Sequence, residues 1–253
     1  MKSENGFEKF DDGSVVVGRN PVMELLGSER NVEKIYVLRG NREGSVKKIV
    51  AMAKTRHIPV VDAAKEKLDE MAGGGAHQGI AAITSAFEYV EISDMMALAK
   101  EKGEKPLIVV LDGVEDPHNV GAVIRSAECA GAHGIIIGRH RSASMGQTVF
   151  KASAGAAEHI PIAKAPNIAS AIDELKSLGV WIFAADMNGE SVYETDFDCP
   201  AAIVLGSEGN GISRLVKEKC DFTVSIPMKG KINSLNVSAA AAIILFEAAH
   251  RRS

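Results

Sequence analysis

The chain has 253 residues, 46% hydrophobic and 25% charged, with a net charge of −4 and a mean hydropathy near zero, which suits a soluble globular protein of one large or two small domains. The apolar run Val237–Phe246 is too short to span a bilayer, and Met1-Lys2-Ser3-Glu4-Asn5 opens no export signal. Cys129, Cys199 and Cys220 are too few and too scattered for a disulfide framework or a zinc site, so the expectation is a cytoplasmic protein with no membrane and no metal.

Residues 1–14 are polar and read as a loose tail. Val15–Gly18 then enters a helix over Pro21–Leu26, with Pro in its first turn. Strands follow at Lys34–Leu38, Pro59–Val61 and Ile80–Ile83, with a helix over Ser45–Arg56 that stripes Val46, Ile49, Val50 and Ala53. Gly73-Gly74-Gly75 marks a turn. These elements make a small α/β domain over residues 15–88.

Net charge gives no support to nucleic-acid binding, but its distribution does. Between Arg19 and Arg56, nine basic residues (Arg19, Arg30, Lys34, Arg39, Arg42, Lys47, Lys48, Lys54, Arg56) face four acidic ones (Glu24, Glu29, Glu33, Glu43). That excess suits a phosphate backbone and equally suits a solvated helix face.

A charged, helix-prone link over residues 89–105 ends at Pro106. Beyond it, over residues 106–253, strands are expected at Leu107–Leu111, Ile135–Ile137, Val180–Ala184, Ile203–Leu205 and Phe222–Ile226. Helices are expected at Val120–Ala130, Thr148–Ala157, Ile168–Leu178, Ser213–Lys219 and Asn236–His250. Near-continuous apolar strands alternating with helices predict a parallel sheet covered on both faces. Trp181 and Met187 read as core.

Three loops at strand ends, where open parallel sheets bind ligands, are rich in Gly, Asn and charge. The first is Asp112-Gly113-Val114-Glu115-Asp116-Pro117-His118-Asn119-Val120-Gly121, running on to Arg125. Asn119 is placed to cap a helix starting near Val120, and Arg125 lies about 240° around that helix from it. The second is Gly206-Ser207-Glu208-Gly209-Asn210-Gly211, whose glycine spacing is neither a dinucleotide-binding loop nor a P-loop. The third runs from Ile226 through Ser234 and Asn236 into Ala239–Ala242, with Ser234 or Asn236 as the helix N-cap. Read singly, each loop is also an ordinary turn.

In this order and spacing the three loops resemble the signature motifs of the SpoU/TrmH family of SPOUT RNA methyltransferases, over about residues 107–250. Gly18-Arg19-Asn20-Pro21-Val22-Met23-Glu24-Leu25-Leu26 and His77-Gln78-Gly79-Ile80 resemble the substrate-binding domain of its RlmB-type branch. The resemblance implies a C-terminal parallel-sheet domain with a deep trefoil knot, a small N-terminal RNA-binding domain and a homodimer through the C-terminal domain. It implies S-adenosyl-L-methionine as cofactor and 2′-O-methylation of a ribose, a guanosine of large-subunit (23S) ribosomal RNA in that branch. By motif position Asn119, Arg125, Glu208, Ser234 and Asn236 carry the catalysis. Backbone groups near Ala185, Gly206, Gly209, Ile226, Met228 and Leu235 hold the cofactor. Arg19, Arg39, Arg42, Arg139 and Arg141 are the candidate RNA contacts.

Arg125 serves such a reaction either as general base or as a bidentate holder of the adjacent phosphate; a guanidinium, charged and without an acceptor, suits the second role better. Four other readings stay open: a transfer-RNA methyltransferase, an antibiotic-resistance methyltransferase acting elsewhere on ribosomal RNA, a non-catalytic ribosome-assembly protein, and a nucleotide-dependent Rossmann-type enzyme. The last is disfavoured by the glycine spacing.

Overall fold

The computed structural model describes residues 14–252, so the expected loose tail lies, but for Ser14, outside the described residues. Two compact units share the chain. The first runs to Glu88 and takes in Ser144–Glu158; the second holds Tyr89–Ala143 and everything from His159 onward.

In the first unit, β1 (Val15–Val17), β2 (Val32–Leu38), β3 (Val60–Ala63) and β4 (Ile80–Thr84) form one sheet in the order β1-β4-β2-β3. β4 runs antiparallel to β1 and β2, while β2 and β3 are parallel. Alternate residues feed opposite faces. Val16, Ile35 and Val37 pack under α1 (Arg19–Gly27) and α2 (Ser45–Thr55), and Val15 and Val17 under α3 (Lys65–Met71).

The helix α6 (Gln147–Ala152) and a 3₁₀ turn at Ala156–Glu158 belong to this unit, although the sequence places them in the second domain. Burial decides it. Phe150 is fully buried with its ring edge-on to Phe87, and Gln147 Nε2 donates to the Met71 carbonyl at 2.6 Å. Arg30 pairs with Glu158 at 2.9 Å, their side chains 10% and 2% exposed, and its guanidinium lies 5.0 Å from the Phe150 ring centre. Arg30→Met leaves the Glu158 carboxylate without that partner. It is expected to cost about 3 kcal/mol or more in urea unfolding, with Glu158→Gln in the same background recovering part of the loss.

The basic stretch is correspondingly thinner than its sequence. Arg30 is committed to Glu158, and Arg56 donates to the carbonyls of Leu26, Ser28 and Arg30, closing the end of α1. Arg39 is exposed, and Arg42 pairs with Asp62 at the surface. Arg19 is half-buried, its Nε donating to the Gln78 carbonyl.

The second unit is a six-stranded, wholly parallel sheet in the order β10-β8-β9-β5-β6-β7. Its strands are β5 (Leu107–Asp112), β6 (Gly134–Gly138), β7 (Ile162–Ala165), β8 (Trp181–Ser191), β9 (Ala201–Gly206) and β10 (Phe222–Ser225). One face is covered by α4 (Ile92–Lys102), α7 (Ile168–Ser177) and α8 (Arg214–Lys219), where Met95, Ile172 and Val216 meet Ile108, Val110 and Ile136. Towards the other, α5 (Pro117–Cys129) and α9 (Val237–Arg251) pack together. The stretch expected as a link is thus the helix α4, begun by a reciprocal Glu91/Asp94 capping box and ended by Gly103 in the left-handed region.

Trp181 and Met187 are not core, being 49% and 61% exposed. Trp181 opens β8 at the sheet's amino end against Phe222. Met187 sits where β8 leaves its ladder.

Candidate active site

The carboxyl ends of β5 and β9 and the start of α9 bring the first, second and third loops together. After β5, Asp116 caps α5 by accepting from His118 N at 2.8 Å, with Pro117 in the first turn. Asn119 therefore is not the cap: Asp-Pro starts the helix earlier, and Asn119 rides inside the first turn, buried. Its Oδ1 accepts from Asn236 Nδ2 at 2.9 Å, and its Nδ2 approaches Asp116 Oδ2 at 3.4 Å.

After β9 the chain closes on itself. Ser207 and Gly211 exchange both backbone hydrogen bonds, 3.1 and 3.0 Å, which puts Glu208, Gly209 and Asn210 at an exposed tip. The fold-back is tight at Gly206, where an added Cβ would lie 2.1 Å from the Gly211 carbonyl carbon and 2.2 Å from Ile212 N. Glu208 Oε1 accepts from Asn236 Nδ2 at 2.5 Å.

Asn236 joins the loops. Its Oδ1 caps α9, accepting from Ser238 N at 3.0 Å and Ala239 N at 3.4 Å, so its Nδ2 must face the other way, towards Asn119 and Glu208. One amide both starts a helix and ties the first loop to the second. A cleft of about 330 Å³ opens beside them, lined by Asp112, Glu115, Asp116, Asn119, Arg141 and Glu208, with Ser207 and Ser213 among its other walls. Asp112, 6% exposed, fixes its floor by accepting from Ser213 N at 2.7 Å. That contact spans 101 residues and is not legible from spacing alone.

The remaining candidates divide. Arg141 lines the cleft; Arg139 is exposed and does not line it. Arg125 is exposed on the outer side of α5 and also lies outside the cleft lining. Ser234 is exposed in the irregular segment before Asn236. Ala185, Gly206 and Ile226 fall at or just past the ends of pairing on three adjacent parallel strands, β8, β9 and β10. Gly209 is at the loop tip with φ +94°, while Met228 and Leu235 are 39% and 41% exposed between β10 and α9. Among the described residues, the backbone of residues 226–235 makes no backbone–backbone hydrogen bond. Its N–H and C=O groups are open to a ligand.

Next to these strand ends lies an ion pair that sequence reasoning missed. Lys217 Nζ donates to Asp186 Oδ2 at 2.7 Å, and this bond first, then the N–H of Asn188, holds the Asp186 carboxyl below the usual carboxylate range. Among the described residues no cluster of three or more His, Cys, Asp or Glu could hold a metal, and no helix is long and apolar enough to cross a membrane.

Residues 106–246 match the family of SpoU rRNA methylases, and residues 15–90 match the RNA 2′-O ribose methyltransferase substrate-binding family. The chain belongs to the SpoU methylase family. It is 41% identical over 239 residues to YacO of Bacillus subtilis, assigned to the TrmH family of tRNA/rRNA methyltransferases, covering 94% of this chain and 96% of that one. A Staphylococcus aureus protein of the same assignment is 40% identical over 242 residues, 95% and 97% of the two chains. The fold is similar to that of the SpoU methyltransferase AviRb from Streptomyces viridochromogenes, solved with AdoMet. That match has a TM-score of 0.81 at 25% identity and covers 94% of this chain and 89% of AviRb. A TrmH-family structure from Porphyromonas gingivalis matches with a TM-score of 0.74 at 26% identity, with the same coverage of 94% and 89%. The six-stranded parallel sheet is the SpoU-family domain, and the first unit carries most of the substrate-binding match.

Proposed function

We propose that the chain transfers a methyl group from S-adenosylmethionine to a ribose 2′-hydroxyl in RNA, and that its target is a guanosine of large-subunit ribosomal RNA. The observation that carries the reading is the Asn119–Asn236–Glu208 junction, which ties the three family motifs into one polar cluster at a cleft. The strand ends fit the cofactor: the small Ala185 and Gly206, the apolar Ile226 and Leu235, and a run of open backbone groups suit a nucleoside held by its polar edges. When bound, the cofactor supplies a methyl group activated on a sulfonium.

The chain supplies position. Glu208, held by Asn236, presents its other carboxylate oxygen to the ribose hydroxyl as acceptor, and Asn119 fixes Asn236. Alignment of hydroxyl and methyl alone is worth about 7 kcal/mol in favourable cases. Arg125 and Ser234, both exposed, are assigned to the RNA side. Arg125 holds the phosphate beside the reacting ribose by its two-pronged guanidinium, and Arg19, Arg39, Arg42, Arg139 and Arg141 extend the phosphate contacts. We take the working unit to be a homodimer through the second unit, which carries a deep trefoil knot, in the cytoplasm with the ribosomal RNA.

Transfer of labelled methyl to purified 23S RNA, mapped by primer extension at low deoxynucleotide, tests the reading. A stop at one guanosine is expected. Label in transfer RNA alone would favour the second reading, to which the tRNA/rRNA assignment of the relatives points. Binding without transfer would make the chain a ribosome-assembly protein. Arg125→Ala is expected to abolish transfer and Arg125→Lys to retain a trace, since an ammonium holds phosphate without the fork; higher activity in the lysine variant at alkaline pH would reinstate the general-base role.

A further inference from the structure

We infer that Asp186 and Lys217 are positioning residues that set the affinity of the chain for S-adenosylmethionine, an inference that rests on the cofactor reading above. The pairing of β8 with β10 runs Phe222↔Phe183 and Thr223↔Ala184, then resumes at Val224↔Glu190 and Ser225↔Ser191. Ala185–Gly189 are therefore five extra residues on one strand, opposite no partner on the other. They lie where β8 and β9 part company, beside Gly206.

A detour of that length keeps one shape only if its ends are held. At its far end Gly189 presses on β10, where a Cβ would stand 2.5 Å from the carbonyl of Thr223 and the nitrogen of Val224, and its own carbonyl accepts from Ser225 Oγ at 2.8 Å. At its near end Asp186 is the hub. One carboxylate oxygen accepts from Asn188 N at 3.1 Å and Asn188 Nδ2 at 3.3 Å, and the other takes Lys217 Nζ at 2.7 Å.

Lys217 stands on α8, the helix that follows the Glu208 loop and whose cap residue Ser213 is held by Asp112. The ion pair thus fixes the detour to the same frame that fixes Glu208. With side chains 20% and 39% exposed, the pair is partly shielded from water and keeps more of its attraction than a surface bridge. Neither residue lines the cleft beside the polar cluster, so both act through the backbone of Ala185–Gly189.

The test is calorimetric titration of S-adenosylmethionine and S-adenosylhomocysteine into the full-length chain and into Asp186→Asn, Lys217→Met and the exchanged pair Asp186→Lys with Lys217→Asp. Each single variant is expected to bind both ligands about tenfold more weakly, with the exchanged pair recovering only the part due to the ion pair, since a lysine at 186 cannot accept from Asn188. At saturating cofactor, turnover stays within about twofold, so KM moves and kcat does not. Melting curves without ligand are expected to coincide. Unchanged affinity in the single variants overturns the positioning role, as does a loss of affinity matched by a loss of folded protein. A wild-type chain that binds neither ligand overturns the cofactor reading instead.

Discussion

Gly206→Ala is expected to lower methyl transfer by about a hundredfold or more while leaving the sheet folded. The added methyl has nowhere to go. Backbone atoms of Gly211 and Ile212 occupy its place at 2.1 to 2.5 Å, and neither can swing aside as a side-chain end would. Gly206 is also pinned from below, since it pairs in register with Asp112 on β5. Relief must come from opening the Ser207–Gly211 closure, which moves the tip that carries Glu208. Overpacking of this kind costs about 1–3 kcal/mol of stability, whereas a shift of about 1 Å at a reacting group costs about a hundredfold in rate. Single-turnover transfer with a parallel melting curve separates the two. A near-normal rate would mean that Glu208 does not depend on this fold-back.

The second large effect is expected from Asn236→Asp, which divides the two duties of one side chain. A carboxylate still accepts from Ser238 N and Ala239 N, so the cap of α9 survives and stability changes by less than about 1 kcal/mol. The donor, however, is gone. A second carboxylate oxygen would stand about where Nδ2 now lies, 2.5 Å from Glu208 Oε1 and 2.9 Å from Asn119 Oδ1. Two carboxylates so close do not both ionise readily, and the pair holds a proton to higher pH than either alone. Activity at neutral pH is expected to fall at least about a hundredfold, with partial recovery on acidification as one proton bridges the pair. Asn236→Ala, which also removes the cap, serves as the contrast: it should be less stable than Asn236→Asp and show no acid recovery. Full activity of Asn236→Asp at neutral pH would remove the junction from the mechanism.

The parallel sheet was legible because its central strands are unbroken apolar runs. The strand β7 was not, since Lys164 interrupts Ile162–Ala165 and its ammonium sits over the Tyr89 ring. The helix α4 was legible as a helix-prone stretch, but its charge hid that Ile92, Met95 and Ala99 recur on one face and pack it into the domain instead of leaving it a link. The length of β8 was hidden by its second half, Asp186–Ser191, which is polar and reads as loop. At the site, the Asp116-Pro117 start of α5 could have been read, and it frees Asn119 from capping. The junction itself could not be derived from spacing. Asn119 and Asn236 are 117 residues apart, and their meeting depends on how the strands are ordered. Only the family resemblance put them in one site.

The ownership of Ser144–Glu158 has a consequence for how this protein can be taken apart. The chain passes between the two units three times, after Glu88, after Ala143 and after Glu158, so the substrate-binding unit has no single boundary at which it can be cut free. A fragment ending at Glu88 would lose Phe150 and leave Arg30 facing the place of a missing Glu158. Grafting the first ninety or so residues onto another methylase would do the same, unless the recipient carried its own version of that insert. Moving this unit intact must therefore carry two segments of sequence together, and the smaller one lies inside the span that matches the SpoU methylase family.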